Sequence, residues 1–181
     1  MNRFWKEYFI FMEKKTNTLK KALTGIILSV ILIVIDQVTK LMAIHGLMNQ
    51  QPFVIWDGVF ELHYLENRGA AFGILQGKKI FFVFFTLIVL CLIAYLYLKR
   101  IPDEKKFRPI DGICILFFAG ALGNFIDRVF RNYVVDFFYF KLIDFPVFNV
   151  ADIYVTVAAF AMIILGLFYY KEEDYNKIFH D

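Results

Sequence analysis

The chain has few of the residues that usually build metal or redox sites. Only two cysteines occur, Cys91 and Cys114, and they lie in different apolar runs without forming a CxxC pair. The histidines, His45, His63 and His180, are scattered along the sequence without the spacing of metal ligands. We therefore expect no redox centre, no metal and no other cofactor.

The sequence also lacks a glycine-rich phosphate loop, an internal repeat and a low-complexity segment. Its net charge is only +3, and the basic residues are grouped beside apolar runs rather than in a recognition surface. These features predict no nucleic-acid partner and no requirement for a nucleotide.

What the chain has in excess is apolar residues. They make up 60% of the sequence, with 23 phenylalanines and a mean hydropathy of +0.58, whereas a soluble domain is about 45–50% apolar. Four runs are long enough to cross a membrane as helices, at 22–44, 80–98, 110–130 and 152–170. The first run follows several lysines, but no small-x-small cleavage pattern comes after it, so we interpret it as a retained helix rather than a signal peptide.

The distribution of lysine and arginine predicts how the four helices are oriented. These residues are concentrated before the first run and between the second and third, and they are sparse in the two other loops. Because cytoplasmic loops carry the excess of basic residues, we expect the tails 1–21 and 171–181 to be cytoplasmic. Within the membrane domain, 22–170, the loops 45–79 and 131–151 should then face outward.

Two stretches outside the apolar runs have patterns of their own. In the first outer loop, the turn dipeptide Asp57-Gly58 separates two β-prone runs, which predicts a small hairpin or sheet on the membrane surface. The aromatic and charged stretch 4–12 fits either an interfacial amphipathic helix or a loosely ordered tail. The predicted fold is an all-α membrane protein of four transmembrane helices with a small extracytoplasmic β element.

Two aspartates lie beside the predicted outer ends of membrane helices. Asp136 stands in a Tyr-Val-Val-Asp-Phe segment and Asp152 in a Phe-Asn-Val-Ala-Asp segment. A carboxylate close to hydrocarbon is unfavourable and usually has a function. Two carboxylates that converge can share one proton and activate a water molecule, which is the chemistry of an aspartic protease.

Further polar residues gather at the same predicted membrane face, and the spacing leaves their roles open. Asp36 and Lys40 are spaced i, i+4, as in a simple ion pair near the interface or in a supporting part of a site. Asn124, Asp127 and Arg128 share a helix face. They could pack one helix on another through an Asp–Arg pair, or Arg128 or Asn124 could contact a substrate backbone.

The residues just before these groups suggest how helices approach one another. Gly120 and Gly123 allow another backbone to come close to the third helix. Asn149 fits an N-cap that places Asp152 in the first helical turn, which explains Asp152 structurally but leaves Asp136 unexplained.

Taken together, these segments resemble the bacterial type II, or lipoprotein, signal peptidases. The resemblance covers 23–170, although the N-terminal tail is longer than is usual in that family and Ala119 stands where a second glycine is common. The matching segments, in chain order, are Asp36-Gln37-Val38-Thr39-Lys40, Asn67-Arg68-Gly69-Ala70-Ala71-Phe72, Gly120-Ala121-Leu122-Gly123-Asn124-Phe125-Ile126-Asp127-Arg128, Val134-Val135-Asp136-Phe137 and Phe148-Asn149-Val150-Ala151-Asp152.

The resemblance implies a membrane aspartic endopeptidase that removes the signal peptide from diacylglyceryl-modified prolipoproteins, on the N-terminal side of the lipidated cysteine. It implies that Asp136 and Asp152 are the catalytic pair. The residues that it implies for substrate binding are Asn67, Arg68, Asn124, Arg128 and Asn149, and those for support are Asp36, Lys40, Gly69 and Asp127.

The same resemblance implies the surroundings in which the protein works. We expect it in the bacterial cytoplasmic membrane with its active site at the outer face. We also expect a monomer, since a monomer would suffice for the mechanism. Its expected partners are prolipoproteins that carry a lipidated cysteine, membrane lipid and globomycin-like inhibitors.

Two other classes of function compete with this interpretation. A proton-coupled transporter would use the carboxylates as a relay, but it predicts acids distributed through the membrane depth and repeat symmetry. A scaffold whose charged residues only hold helices together predicts that Asp-to-Asn changes at Asp136 and Asp152 leave function intact. The gathering of the acids at one face favours the peptidase.

Overall fold

The structure of the protein, a computed structural model, describes residues 3–69 and 78–180. Within these residues, four helices are long and apolar enough to cross a membrane: Lys15–Leu47, Lys79–Arg100, Lys105–Phe130 and Val150–Phe168. Together with a small antiparallel sheet, they confirm the predicted fold class.

The first helix is much longer than its apolar run. Helix α1 spans Arg3–Leu47, or 45 residues, which corresponds to about 68 Å at 1.5 Å per residue. The hydrocarbon core of a bilayer is only about 30 Å thick, so the N-terminal turns of α1 extend beyond it. The stretch 4–12, for which the sequence left two possibilities, is continuous with this helix.

Caps and turns set where the other helices begin and end. Helix α2 spans Lys79–Tyr95 and continues as a π-helical turn, Leu96–Arg100. Helix α3, Arg108–Phe130, has a proline in its first turn, where the missing N–H is tolerated. Helix α4, Val150–Phe168, begins two residues before its predicted apolar run because Asn149 caps it. A short helix α5, Glu172–Phe179, lies in the stretch that was expected to be a tail.

A three-stranded sheet lies at the end of the bundle where α1 ends. Its strands, β1 (Phe53–Trp56), β2 (Phe60–Asn67) and β3 (Val134–Phe140), are antiparallel in the order β1-β2-β3. Gly58 has a positive φ of 70° in the turn between β1 and β2, which confirms the predicted hairpin. The third strand comes from the loop 131–151 and was not predicted.

Two apolar clusters hold the bundle at its ends. Ala43, Val135 and Phe137 are buried between α1 and the sheet. At the opposite end, Phe107 and Tyr170 stack in parallel with ring centroids 5.7 Å apart, and α5 packs against them. Phe107 is fully buried, which contributes about 1.5–3 kcal/mol.

Helix α3 lies at the centre of the bundle and contacts the three other long helices. At Gly120 the first turns of α4 come very close, since an added Cβ would lie 2.6 Å from the carbonyl oxygen of Ala151. The predicted close approach of another backbone is therefore that of α4. It brings the start of α4 beside the last two turns of α3, where the polar residues of α3 lie.

Candidate active site

Strand pairing brings Asn67 beside Asp136. In the β2–β3 register, Asn67 pairs with Val134 and Leu65 with Asp136, so Asn67 and Asp136 are diagonal neighbours on one face of the sheet. The side-chain amide of Asn67 donates to an oxygen of Asp136 at 2.9 Å. Asp136 is only 1% exposed, and its carboxylate is therefore held rigidly at the end of the sheet.

Asp152 is fixed by the start of helix α4. Asn149 is the N-cap, and its side-chain oxygen accepts a 3.0 Å hydrogen bond from the backbone N–H of Asp152. In return, the carboxylate of Asp152 accepts from the backbone N–H of Asn149 at 3.1 Å. This capping box restricts Asp152 to one orientation at the positive end of the helix dipole.

Asn149 also reaches the other aspartate. Its side-chain amide donates to Asp136 at 2.6 Å and to the carbonyl oxygen of Val135 at 3.3 Å. The residue is completely buried. One asparagine thus holds both carboxylates, Asp136 through its side chain and Asp152 through its backbone.

Asn124 approaches Asp152 from helix α3. Its side-chain amide donates to Asp152 at 2.8 Å, while its side-chain oxygen accepts from the ammonium group of Lys40 at 2.9 Å and from the amide of Asn149 at 3.2 Å. Since an ammonium group can only donate, Lys40 fixes which end of the Asn124 amide faces Asp152.

The ammonium group of Lys40 lies at the centre of a buried charge network. It contacts Asp36 at 2.9 Å and Asp127 at 3.2 Å, and all three side chains have no exposed surface. Asp36 also accepts from the backbone N–H of Ala151, in the first turn of α4, at 3.0 Å. The Asp36–Lys40 pair is therefore part of the support that joins α1, α3 and α4, rather than an isolated pair near the interface.

Asp127 connects this network to strand β3. It accepts from the backbone N–H of Val135 at 3.1 Å and pairs with Arg131, one turn further along the chain. The Asp–Arg pair suggested by spacing thus involves Arg131 rather than Arg128.

Sequence reasoning did not assign a role to Gln37 or Arg131. The Gln37 amide donates to Asp36 at 3.1 Å and to Asp127 at 3.3 Å, and its oxygen accepts from Arg131. The i, i+4 spacing of Asp127 and Arg131 was the available signal.

The two arginines predicted to bind substrate lie in different surroundings. Arg128 is partly buried, donates to the carbonyl oxygen of Gly69 at 3.3 Å, and lies 4.8 Å from the ring centroid of Phe82. Arg68 is exposed and pairs with Glu66 at 2.7 Å.

Gly69 itself donates to the side chain of Asn67 at 3.0 Å. Asn67, Asn124 and Asn149 therefore surround the aspartates directly, whereas Arg68 lies at the rim.

The environment of Asp136 favours its protonated form. Burial, and secondarily the negative charge of Asp152, raise the pKa of Asp136 to about 7, against the opposing effect of the hydrogen bonds from Asn67 and Asn149. A carboxyl group that keeps a proton near neutral pH beside a second carboxylate is the arrangement in which two aspartates share one proton.

Comparison with known proteins assigns the chain to a family. Residues 28–168 match the family model described as signal peptidase (SPase) II. The chain belongs to the lipoprotein signal peptidase family. The lipoprotein signal peptidase of Clostridium tetani is 40% identical over 160 residues, which cover 85% of this chain and 98% of that protein. That of Streptococcus thermophilus is 42% identical over 143 residues, which cover 79% and 90%.

This member of the lipoprotein signal peptidase family has the same fold as a solved bacterial membrane enzyme, whose structure was determined by the in meso method at 1.9 Å resolution. The two chains superpose with a TM-score of 0.71 at 36% identity, over 81% of this chain and 94% of the other. The family processes the signal peptides of prolipoproteins and consists of aspartic peptidases that globomycin inhibits. The family, enzyme class and fold predicted from the sequence are thus confirmed.

Proposed function

We propose that Asp136 and Asp152 form the catalytic pair with which this membrane peptidase cuts diacylglyceryl-modified prolipoproteins before the lipidated cysteine. The single observation that supports this pair best is the bridge through Asn149, which donates to Asp136 at 2.6 Å and to Asp152 at 3.1 Å. A scaffold would not require two carboxylates beside one asparagine, because each charge would be better stabilised by a cation.

The two carboxylates divide the acid and base roles. Asp136 holds the proton, since its pKa is raised to about 7, and Asp152 acts as general base from the N-terminus of α4. Asp152 accepts a proton from water while the water oxygen attacks the scissile carbonyl carbon. Asp136 donates its proton to the carbonyl oxygen, and a tetrahedral intermediate forms.

Collapse of the intermediate completes the cleavage. Asp152 delivers the proton taken from water to the leaving nitrogen, and Asp136 recovers a proton from the hydroxyl group of the intermediate. The C–N bond breaks, which releases the signal peptide as a carboxylic acid and the lipidated cysteine as a free amine.

The surrounding polar residues hold the substrate and the pair. Arg128 lies beside Gly69, and we assign both it and the exposed Arg68 to carbonyl groups of the substrate backbone. Asn67, Asn124 and Asn149 position the aspartates. Asn67 and Asn124 each donate only one side-chain hydrogen bond and keep an N–H for a peptide, whereas the amide of the fully buried Asn149 is already engaged. Asp36, Lys40, Gly69 and Asp127 support this arrangement from behind.

The proposal also includes the orientation of the protein in the membrane and its partners. The protein is a multi-pass membrane protein, and the basic residues of its tails support cytoplasmic termini with the aspartates at the outer face. We propose that the membrane domain 22–170 acts as a monomer in the bacterial cytoplasmic membrane. Its ligands are lipidated prolipoproteins, with their diacylglyceryl group in the lipid phase, and globomycin-like inhibitors that occupy the same site.

A cleavage assay tests this proposal. Purified wild type in detergent should cut a diacylglyceryl-modified prolipoprotein, and Asp136→Asn and Asp152→Asn should each lose roughly 10²–10⁴-fold or more of the rate. Asp57→Asn, an exposed aspartate of the hairpin turn, is the matched control and should cut normally. Normal cutting by a folded Asp136→Asn or Asp152→Asn variant would remove that residue from the mechanism, and no cutting by folded wild type would refute the substrate.

A further inference from the structure

A polar cavity lies at the end of the bundle opposite the aspartates. On α1, Lys20 is about 24 Å from Asp36 at 1.5 Å per residue. The cavity has a volume of about 350 Å³ between α1, α3 and the segment that leads into α3. Its charged lining comprises Lys20, Lys21, Asp103, Arg108 and Asp111.

The cations of this cavity are not all neutralised. Lys21 is held at 2.8 Å from Asp111 and also donates to the carbonyl oxygen of Ile101. Arg108 contacts Asp103 at 3.3 Å, but these side chains are 65% and 40% exposed, so water screens the pair. Lys20 is exposed and has no ion-pair partner within the described part of the chain. Lys20 and Arg108 are thus available to an anion.

An apolar groove continues from this cavity along the bundle. It has a volume of about 420 Å³ between α1, α3 and α4 and shares Leu28, Gly112 and Ile115 with the cavity. Exposed aliphatic side chains such as Leu28 and Ile31 line it. At the junction, a Cβ added to Gly112 would have no atom within 4 Å, so the passage between cavity and groove is open.

We propose that the cavity binds the phosphate of an anionic phospholipid and that one acyl chain of this lipid lies in the groove. The anionic phosphate complements Lys20 and Arg108, and the apolar groove fits a hydrocarbon chain that belongs to the same molecule. A free phosphate ion would leave the groove without a role. The inference is independent of the peptidase chemistry and requires only that this end of the bundle lies at a membrane surface.

Thermal unfolding of the full-length protein in an uncharged detergent tests the lipid. Dioleoylphosphatidylglycerol should raise the Tm of wild type by about 3 °C or more, because a ligand of the folded state stabilises it. Dioleoylphosphatidylcholine and inorganic phosphate should raise it much less. An equal effect of inorganic phosphate would overturn the assignment to a lipid, and an equal effect of phosphatidylcholine would overturn the role of the anionic charge.

Two pairs of variants locate the effect. Lys20→Gln with Arg108→Gln should abolish the shift, whereas Lys99→Gln with Arg100→Gln removes the same charge nearby and should preserve it. Gly112→Leu should also abolish it, because a leucine fills the junction without meeting protein atoms at its Cβ. The control is Gly46→Leu, at the other end of the bundle, where an added Cβ also meets nothing within 4 Å. A shift that survives in Gly112→Leu, or is lost equally in both charge-removal variants, would overturn the site.

Discussion

Asn149 donates a 2.6 Å hydrogen bond from its side-chain amide to the carboxylate of Asp136. The same side chain caps α4 through its oxygen. The capping role, which the sequence offered as an alternative to a functional one, is therefore the way in which the site is built. A cap that served only to start a helix would have no need to reach a strand.

The pH dependence of stability should depend on Asp136. Burial and the charge of Asp152 raise its pKa to about 7, whereas an aspartate in an unfolded chain has a pKa of about 4. The folded protein therefore binds this proton more tightly than the unfolded chain. This contribution to stability is fully present below about pH 4 and is lost as the pH rises to about 7.

In Asp136→Asn this titration is absent. Between about pH 4 and pH 8, the free energy of unfolding of wild type should fall relative to that of the variant, by at most about 4 kcal/mol. Unfolding in detergent, monitored by intrinsic fluorescence across this range, measures the difference. Parallel curves for wild type and Asp136→Asn would contradict the raised pKa, and Asp57→Asn should give a curve parallel to that of wild type.

Removal of Lys40 should be strongly destabilising. Lys40→Met leaves the fully buried Asp36 and Asp127 without their shared cation, which should reduce stability by about 3–5 kcal/mol. Adding Asp36→Asn to Lys40→Met should recover part of the loss, because it neutralises Asp36, which is left without a cation, whereas Asp127 still pairs with Arg131. Denaturant unfolding in one detergent measures both effects.

The control for this experiment is the exposed pair of Arg108 and Asp103. Arg108→Gln should change stability by only about 0–1 kcal/mol. If Lys40→Met were as mild as Arg108→Gln, the buried network would not be a source of stability.

The close approach at Gly120 should be sensitive to a single methyl group. In Gly120→Ala the new Cβ would meet the carbonyl oxygen of Ala151 at 2.6 Å and a methyl group of Val155 at 2.7 Å, so the first turns of α4 must move. We expect a loss of about 1–3 kcal/mol in stability and a cleavage rate roughly 10-fold or more below that of wild type, because Asp152 moves with α4.

Gly46→Ala is the matched control, since nothing lies within 4 Å of the added Cβ. It should leave cleavage unchanged and stabilise α1 by about 0.5–1 kcal/mol. Equal effects of Gly120→Ala and Gly46→Ala on cleavage would show that the contact with α4 does not position the site.

Orientation can be read from the labelling of single cysteines. In a background with Cys91→Ala and Cys114→Ala, Gln51→Cys lies in the loop 45–79, which is proposed to face outward, and Lys105→Cys lies just before α3. Both positions are exposed. A membrane-impermeant maleimide should label the Gln51→Cys protein in intact cells or spheroplasts. It should label Lys105→Cys only after the membrane is opened, and the reverse pattern would invert the proposed topology.

The helices could be predicted from the sequence because their signal is local. Apolar runs and flanking charges identified the four spans found in the described residues, and the Asp57-Gly58 turn identified the hairpin. Strand β3 was missed because its partner is distant along the chain, as Asn67 and Asp136 are 69 residues apart. No local pattern can indicate that such segments pair.

The site shows the same division between local and distant information. The Asp36–Lys40 pair follows from the helical period, but its further partner Asp127 depends on how α1 packs on α3. For the same reason, the contact of Gln37 with Asp127 is visible only in the folded protein. The catalytic and substrate-binding roles stay predictions, which the cleavage assay tests.

The hydrogen bond from the backbone N–H of Ala151 to Asp36 spans 115 residues and joins the first membrane helix to the last. During synthesis, α1 enters the bilayer with Asp36 and Lys40 neutralising each other one turn apart. Asp36 gains its remaining partner only when α4 arrives, and α4 carries Asp152. The proposed catalytic pair is therefore incomplete in a nascent chain until α4 has inserted.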